Sequence, residues 1–244
     1  MRERWSVPET VAAALSDRPV DGRVCLEAGA GRGNATAGLL DAGAASVYAV
    51  TDDSGHADAV RERCGDATDR LAVLEADLRQ TPIADDSVEL VTAHALCNVL
   101  SPAALDAVAA ELTRVAAPGA HLVVDDYAPL PEGAAVRDLF AVENAAVELA
   151  DGRPALSFYP ASTLRSVFEG HGWRFDRERT LLDPVPWTER HLAAHAAVAT
   201  EAAGRLSPEL GRPLGRRADR LVEAIGSESA GRMYSVAMRL PDGA

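Results

Sequence analysis

A glycine-rich turn with a single acid at its start is the segment of this chain best suited to hold a ligand. It reads E-A-G-A-G-R-G at residues 27–33, between an apolar run at 23–26 that predicts a strand and a pattern at 34–40 that predicts a helix. Glycines let the backbone approach a ligand closely, and the helix that follows offers free N–H groups to an anionic group. The third glycine comes one residue earlier than in the dinucleotide fingerprint G-x-G-x-x-G. We therefore interpret this segment as a ligand-binding turn of another kind.

Further candidate residues follow the next three predicted strands. Asp52 and Asp53 follow the second strand, Asp77 and Leu78 the third, and His94 the fourth. Because ligands of parallel sheets bind outside the carboxyl ends of the strands, these residues could share one site. His94 is a candidate catalytic base or substrate contact, although a structural, hydrogen-bonded histidine fits the same position. The same alternatives stay open for three other residues, Asn98, Asp126 and Tyr127.

Strands that alternate with helices predict a parallel sheet covered on both faces. Further strands are expected at 46–50, 70–74, 87–92, 121–124, 175–182 and 233–240. Further helices are expected at 10–15, 56–64, 102–115, 136–149, 162–169, 187–204 and 218–225, the last two separated by a Pro- and Gly-containing segment at 207–215. The predicted fold class is α/β, a doubly wound, mostly parallel sheet with helical additions in the C-terminal half.

The charge balance argues against nucleic acid and membranes as partners. The formal net charge is -13, and all 24 basic residues are arginine. Such a surface repels phosphate backbones and anionic lipids. An acid-rich composition without lysine is typical of a GC-rich genome and of a salt-loving, halophilic host. The chain has no apolar signal-peptide core at its N-terminus and no run of roughly 18 apolar residues, so we expect a cytoplasmic protein without a membrane span.

Neither a disulfide framework nor a metal site is expected. Cys25, Cys64 and Cys97 are far apart and lack the spacing of a C-x-x-C pair. His191 and His195 lie four residues apart on one face of a predicted helix. No third ligand and no H-E-x-x-H pattern accompanies them, so we predict a solvated helix face.

An ordered set of motifs resembles the class I S-adenosylmethionine-dependent methyltransferases. Residues 27–33 match the first motif of that family, E/D-x-G-x-G-x-G, in full. A-D-L at 76–78 and D-D-S-V-E-L-V at 85–91 are similar to the family's third-strand turn and fourth strand. L-T-R-V-A-A-P-G at 112–119 resembles its L-x-R-V-L-K-P-G segment, with Ala117 in place of the usual lysine. The resemblance extends in order over residues 24–126 and is far more specific than one glycine turn.

This resemblance implies S-adenosylmethionine as the cofactor and assigns roles to the glycine turn. The turn would hold the methionine part of the cofactor through Gly29, Ala30, Gly31 and Gly33. Glu27 would lie near the cofactor's amino group.

The resemblance also assigns roles beyond the glycine turn. An acid after the second strand would bind the ribose hydroxyls; Asp52 and Asp53 are nearly equal candidates, and Asp52 is favoured. Asp77 would accept from the adenine amino group, and Leu78 would line the adenine ring.

The acceptor implied is a small molecule. The region after the fourth strand has no N/D-P-P-Y/F sequence of the enzymes that methylate amino groups of nucleic acids or glutamine. Cys97 follows Leu96 rather than proline, so it only weakly resembles the nucleophile of cytosine-C5 enzymes. Two alternatives remain: a non-catalytic cofactor- or partner-binding protein that keeps the fold, and a nucleotide-dependent oxidoreductase, which the early third glycine disfavours.

The expected organisation is a single methyltransferase domain over residues 1–244. Residues 16–127 would form the cofactor-binding core, and segments 128–160 and 184–230 would be helical caps or insertions. Four aromatic residues could offer apolar contact to the capped pocket: Phe158, Tyr159, Trp173 and Trp187.

Overall fold

A seven-stranded sheet forms the centre of the computed structural model, which describes residues 6–67 and 69–242. The charged segment at residues 1–5 lies outside the described residues. The strands are β1 (Val24–Ala28), β2 (Ser46–Thr51), β3 (Leu71–Glu75), β4 (Val88–His94), β5 (Ala116–Tyr127), β6 (Arg174–Leu182) and β9 (Met233–Arg239). Their order is β3-β2-β1-β4-β5-β9-β6, and β9 runs antiparallel to both of its neighbours. The mostly parallel, doubly wound sheet predicted from the sequence is confirmed.

Helices cover both faces of the sheet, as the apolar periodicity predicts. One face carries α1 (Glu9–Leu15), α2 (Asn34–Asp41) and α3 (Ser54–Cys64). The other face carries α4 (Pro102–Val115) and α6 (Ala161–Gly170). Strands β1 to β4 and helices α1 to α3 begin and end within two residues of their predicted positions. No helix in the described part of the chain is long and apolar enough to cross a membrane.

Three further helices pack together beside the sheet. They are α5 (Val136–Asp151), α7 (Glu189–Gly204) and α8 (Pro208–Ile225), and the short strands β7 (Pro186–Trp187) and β8 (Glu228–Ser229) pair at their base. Their shared core includes Leu139, Phe140, Trp187 and Leu192. Strand β9 follows α8 and returns to the sheet between β5 and β6, so α7 and α8 lie in the chain between two neighbouring strands of the sheet.

The predicted break at 207–215 is wrong, because α8 is continuous from Pro208 to Ile225. Pro208 occupies the first turn, where its missing N–H costs nothing. Gly211 is buried against α7, and a Cβ there would lie 2.0 Å from the carbonyl oxygen of Ala203. The glycine therefore permits close helix packing, and this contact outweighs the low helix propensities of Gly211 and Pro213.

The predicted strand at 121–124 is also too short. Strand β5 begins at Ala116, directly after α4, and contains the Pro118-Gly119 pair. A register shift between Val88 and Leu90 in the pairing with β4 accommodates the extra residues as a bulge. Trp187, predicted to begin α7, lies instead in β7, and Thr188 caps the helix.

Candidate functional site

The glycine turn joins the end of β1 to the start of α2. Gly29, Gly31 and Gly33 have φ values of +72°, +49° and +73°, in the left-handed region. A Cβ on Gly29 would lie 2.7 Å from the Cδ1 atom of Leu96, so this position also lacks room for a side chain. The N–H of Ala30 donates to the Val50 carbonyl (2.8 Å), which fixes the turn against β2. The sequence folds here as predicted because these positions need glycine.

Glu27 lies beneath the turn, with only 2% of its surface exposed. Its carboxylate accepts hydrogen bonds from the backbone N–H groups of Ala35 (3.2 Å) and Thr36 (2.7 Å) and from the Thr36 hydroxyl. Burial raises its pKa to about 7, although the bonds from Thr36 and Ala35 and the nearby His94 favour the charged form. Among the described residues no arginine pairs with Glu27, so a cationic ligand group would find it available.

A cavity of about 730 Å³ opens at the carboxyl ends of β1, β2 and β4. This volume lies in the usual range for small-molecule sites. Most of the residues predicted from the sequence line it: Glu27, Gly29, Ala30, Gly31, Asp52, Asp77, Leu78 and His94. The structure therefore brings these residues together at one edge of the sheet, where ligands of such folds bind.

Gly33 and Asp53 lie outside the cavity wall. Gly33 is the N-cap of α2, and a Cβ there would contact Val60 of α3 at 3.4 Å. Asp53 is the N-cap of α3, and its carboxylate accepts from the N–H of His56 (2.8 Å). This hydrogen bond lowers the pKa of Asp53. Asp52 lines the cavity, so the geometry favours it over Asp53 as a ligand-binding acid.

Asp77 reaches the cavity already paired with a cation. Its carboxylate accepts from the Arg79 guanidinium at 2.6 Å (Nη2) and 3.0 Å (Nε), and from the Arg79 backbone N–H at 2.8 Å. These bonds lower the pKa of Asp77 to about 2. Arg79 was missed from the sequence, because an i, i+2 pair in a turn has no characteristic pattern. A ligand at Asp77 must share the carboxylate with Arg79.

His94, at the end of β4, is paired with Asp125 at the end of β5. The distance from His94 Nδ1 to Asp125 Oδ2 is 3.2 Å, and the two side chains are 14% and 5% exposed. Burial lowers the pKa of His94, but the hydrogen bond and charge of Asp125, with Glu27 and Asp126, outweigh it and raise the pKa overall. The register of β4 and β5 places His94 directly opposite Asp125, a pairing that the sequence does not show.

Asp126 has a structural role. Its carboxylate accepts from the backbone N–H groups of Asn98 (2.9 Å) and Tyr127 (2.7 Å) and holds the short 3-10 turn Cys97–Val99. Burial raises the pKa of Asp126 to about 7 despite these bonds. Asn98 is buried with the turn, whereas Tyr127 lines the cavity.

The rest of the cavity wall is apolar, with cationic groups at the rim. Leu96, Val99 and Leu100 supply aliphatic surface. Arg32 of the glycine turn and Arg153, in the loop after α5, also line the cavity and are exposed. Arg32 and Arg153 could not be predicted, because single arginines in loops carry no periodic signal.

The four aromatic residues expected to line a capped pocket lie outside the cavity wall. Trp173 is buried beside α4, where its Nε1–H donates to the Thr113 hydroxyl at 2.8 Å. Trp187 packs against Tyr127, with ring centroids 5.4 Å apart. Of these two rings, Tyr127 lines the cavity. The expectation was wrong because it rested on chain position and composition, which do not give the direction of a side chain.

The prediction of a solvated face at His191 and His195 is wrong for His195. His195 Nδ1 lies 2.8 Å from the Oε2 atom of Glu143, whose side chain is only 3% exposed. The ring of His195 also packs edge-on against Phe140, with centroids 4.6 Å apart. His191 is exposed and belongs to the N-terminal cap of α7. The hydrogen bond between His195 and Glu143 stabilises the contact between α5 and α7.

Residues 25–119 match the family model described as a methyltransferase domain. No curated protein matches the chain in sequence.

The similar solved structures include a candidate methyltransferase from Bacillus halodurans, with 15% identity over 95% of this chain and 98% of that chain and a TM-score of 0.64. They also include the [4+2]-cyclase SpnF, with 15% identity over 96% of this chain and 80% of that chain and a TM-score of 0.63. Geranyl diphosphate C-methyltransferase from Streptomyces coelicolor, in complex with Mg²⁺, geranyl diphosphate and S-adenosyl-L-homocysteine, has 13% identity over 94% of this chain and 76% of that chain and a TM-score of 0.60. The chain thus has the fold of class I methyltransferases, and its residues 25–119 are similar in sequence to a methyltransferase domain.

Proposed function

We propose that the protein transfers a methyl group from S-adenosylmethionine to a small-molecule acceptor. One observation carries the proposal: a single cavity is lined by the glycine turn, by acids that follow β2 and β3, and by a histidine that follows β4. The methyltransferase domain match over residues 25–119 supports the same reaction class.

The chemistry of the glycine turn fits the methionine part of this cofactor. Glu27 is buried and, among the described residues, accepts from backbone N–H groups and a hydroxyl, so a ligand ammonium group would add a direct cationic partner. Gly29, Ala30 and Gly31 would hold the methionine chain against their backbone. In the first turn of α2 the N–H groups of Ala35 and Thr36 already donate to Glu27, so Asn34, which lines the cavity, is placed to bind the ligand carboxylate.

The opposite side of the cavity fits a nucleoside. Asp52 would accept from the ribose hydroxyls, and Asp77 from the adenine amino group. Leu78 and Leu96 offer apolar surface to a planar ring. The solved complexes of geranyl diphosphate methyltransferase with S-adenosylmethionine and its demethylated product show that this fold accommodates such a ligand.

The bound cofactor would supply a methyl group attached to a positively charged sulfur. This chain would bind the acceptor beside that group and exclude water. Alignment of two reactants contributes about 7–11 kcal/mol in favourable cases. Leu96, Val99, Leu100 and Tyr127 provide the water-poor surface that this requires.

A small acceptor is favoured by the size and the charge of the protein. A cavity of about 730 Å³ must hold both cofactor and acceptor. The net charge of -13 disfavours polyanionic substrates. The segment expected to cap the site, 128–160, contributes Arg153 to the cavity wall, which supports a role in acceptor selection.

The alternative is a protein that binds the cofactor or a partner without methyl transfer. The similar fold of a [4+2]-cyclase shows that this architecture hosts other chemistry. Turnover by the purified protein distinguishes the alternatives: cofactor binding without methyl transfer to any acceptor of a broad panel would favour the non-catalytic role.

Calorimetric titration with S-adenosylhomocysteine, at low and at high salt, tests the cofactor assignment. The Gly31→Arg variant places a large side chain in the turn, whereas Gly170→Arg, at the end of α6 with open space around it, is the matched control. We expect micromolar binding by the wild type and Gly170→Arg, and none by Gly31→Arg. A folded wild-type protein that does not bind at either salt concentration would overturn the proposal.

A further inference from the structure

Asp125 and Asp126 are neighbours in sequence, but their carboxylates make different hydrogen bonds. Asp126 accepts two backbone hydrogen bonds and orders a turn. Asp125 makes one side-chain hydrogen bond, to His94, and its Oδ1 atom has no partner among the described residues. Burying a carboxylate is costly, and only the contact with His94 offsets that cost for Asp125.

The same bond fixes the tautomer of His94. An ionised carboxylate can only accept, so Nδ1 carries the proton that it shares with Asp125. The Nε2 atom makes no hydrogen bond to the described residues, and it is not fully buried. Because His94 lines the cavity, Nε2 is the ring nitrogen left for a ligand.

We infer that Asp125 is a positioning residue that holds His94 as a proton acceptor, and that the methyl acceptor is therefore a group that must lose a proton, which we assign as a hydroxyl. This inference rests on the proposed methyl transfer. In the step, the hydroxyl oxygen forms the new O–C bond while the C–S bond of the sulfonium donor breaks and its electron pair stays on sulfur. The hydroxyl proton passes to Nε2 of His94. Thioethers and tertiary amines have no such proton and would make no use of this pair.

The pH dependence follows from the groups that face His94, which are Glu27 on β1 and Asp125 and Asp126 on β5. His94 accepts a proton only when it is neutral, so the rate should rise with pH through its raised pKa. Replacing Asp125 by asparagine removes one negative charge and should move this rise to lower pH. The maximal rate should fall at the same time, because asparagine no longer enforces the tautomer.

Nuclear magnetic resonance of the histidine rings tests the inference without any acceptor. The His94 signal is assigned by its loss in His94→Gln, and its tautomer and pKa are then compared in the wild type and Asp125→Asn. Asp106→Asn is the matched control, since Asp106 forms a 3.0 Å pair with His171 on the exposed surface of α4. We expect Asp125→Asn to lower the His94 pKa and populate the other tautomer, and Asp106→Asn to change neither. An unchanged His94 in folded Asp125→Asn overturns the inference.

Methyl transfer to a panel of hydroxyl, thioether and tertiary amine compounds tests the acceptor class. We expect turnover of hydroxyl compounds, lowered about 100-fold by His94→Gln with S-adenosylhomocysteine affinity unchanged. Transfer to thioethers or tertiary amines alone, or a full rate in His94→Gln, contradicts the inference. If Asp125→Asn does not fold, His94→Gln still decides. Loss of cofactor binding by the wild type would instead reject the proposed function itself.

Discussion

Replacing Glu27 by glutamine should make the protein increasingly stable relative to the wild type as the pH rises from 5 to 8, while weakening cofactor binding. The carboxylate is buried, and burial raises its pKa to about 7, against 4.5 for an exposed glutamate. The folded chain therefore binds this proton more tightly than the unfolded chain between those two pH values. Stability must fall as pH rises through this window.

The size of the effect follows from the two pKa values. Ionising Glu27 costs the folded state about 1 kcal/mol at pH 5 and about 3 kcal/mol at pH 8, at about 1.4 kcal/mol per pKa unit. Glutamine cannot ionise and keeps one oxygen to accept from the Thr36 N–H. The free energy of unfolding of Glu27→Gln should therefore gain about 2 kcal/mol on that of the wild type between pH 5 and pH 8.

Urea denaturation of both proteins at the two pH values measures this gain. Glu111→Gln is a suitable control, because hydrogen bonds from Arg114 lower the pKa of Glu111 to about 2. Ionised Glu111 stabilises the folded state fully above about pH 4.5. Glu111→Gln should therefore be less stable than the wild type at both pH values, by the same amount. A difference between Glu27→Gln and the wild type that stays constant from pH 5 to pH 8 would refute the reasoning.

Three further predictions concern the cavity and the contact between α7 and α8. Asp52→Ala should weaken S-adenosylhomocysteine binding about tenfold in calorimetry. Asp53→Ala should leave this affinity unchanged and lower the free energy of unfolding, because Asp53 caps α3. The reverse pattern would exchange the roles of the two residues. Binding near pH 7 should release protons, since a ligand ammonium group favours ionised Glu27; binding heats that do not vary with the buffer's ionisation enthalpy would argue against this. Gly211→Ala should lower the melting temperature, because its Cβ would overlap the Ala203 carbonyl; an unchanged value would show that α7 and α8 can separate at no cost.

The first half of the fold could be predicted because its signals are local. Short apolar runs end at glycines and acids, and each predicts a strand of the sheet. Helix α8 could not be predicted, because Gly211 and Pro213 break isolated helices, and only the surface of α7 shows why they are tolerated. The bulge in β5 depends likewise on pairing with β4.

The same division holds for the candidate site. The glycine turn and the acids after β2 and β3 were predicted from their positions. All of these residues except Gly33 and Asp53 line the cavity. The choice between Asp52 and Asp53 required the cap of α3, which is a matter of side-chain direction. The role of Asp125 could not be predicted, because its contact with His94 depends on strand register.

A crystal structure of the protein with S-adenosylhomocysteine tests the central claim most directly. We expect the ligand to lie in the cavity at the carboxyl ends of β1, β2 and β4, with its amino group beside Glu27, its ribose on Asp52 and its adenine near Asp77. Nε2 of His94 should face the space beside the sulfur. A ligand bound outside this cavity, or bound there with its ribose away from Asp52 and its sulfur away from His94, would contradict the account.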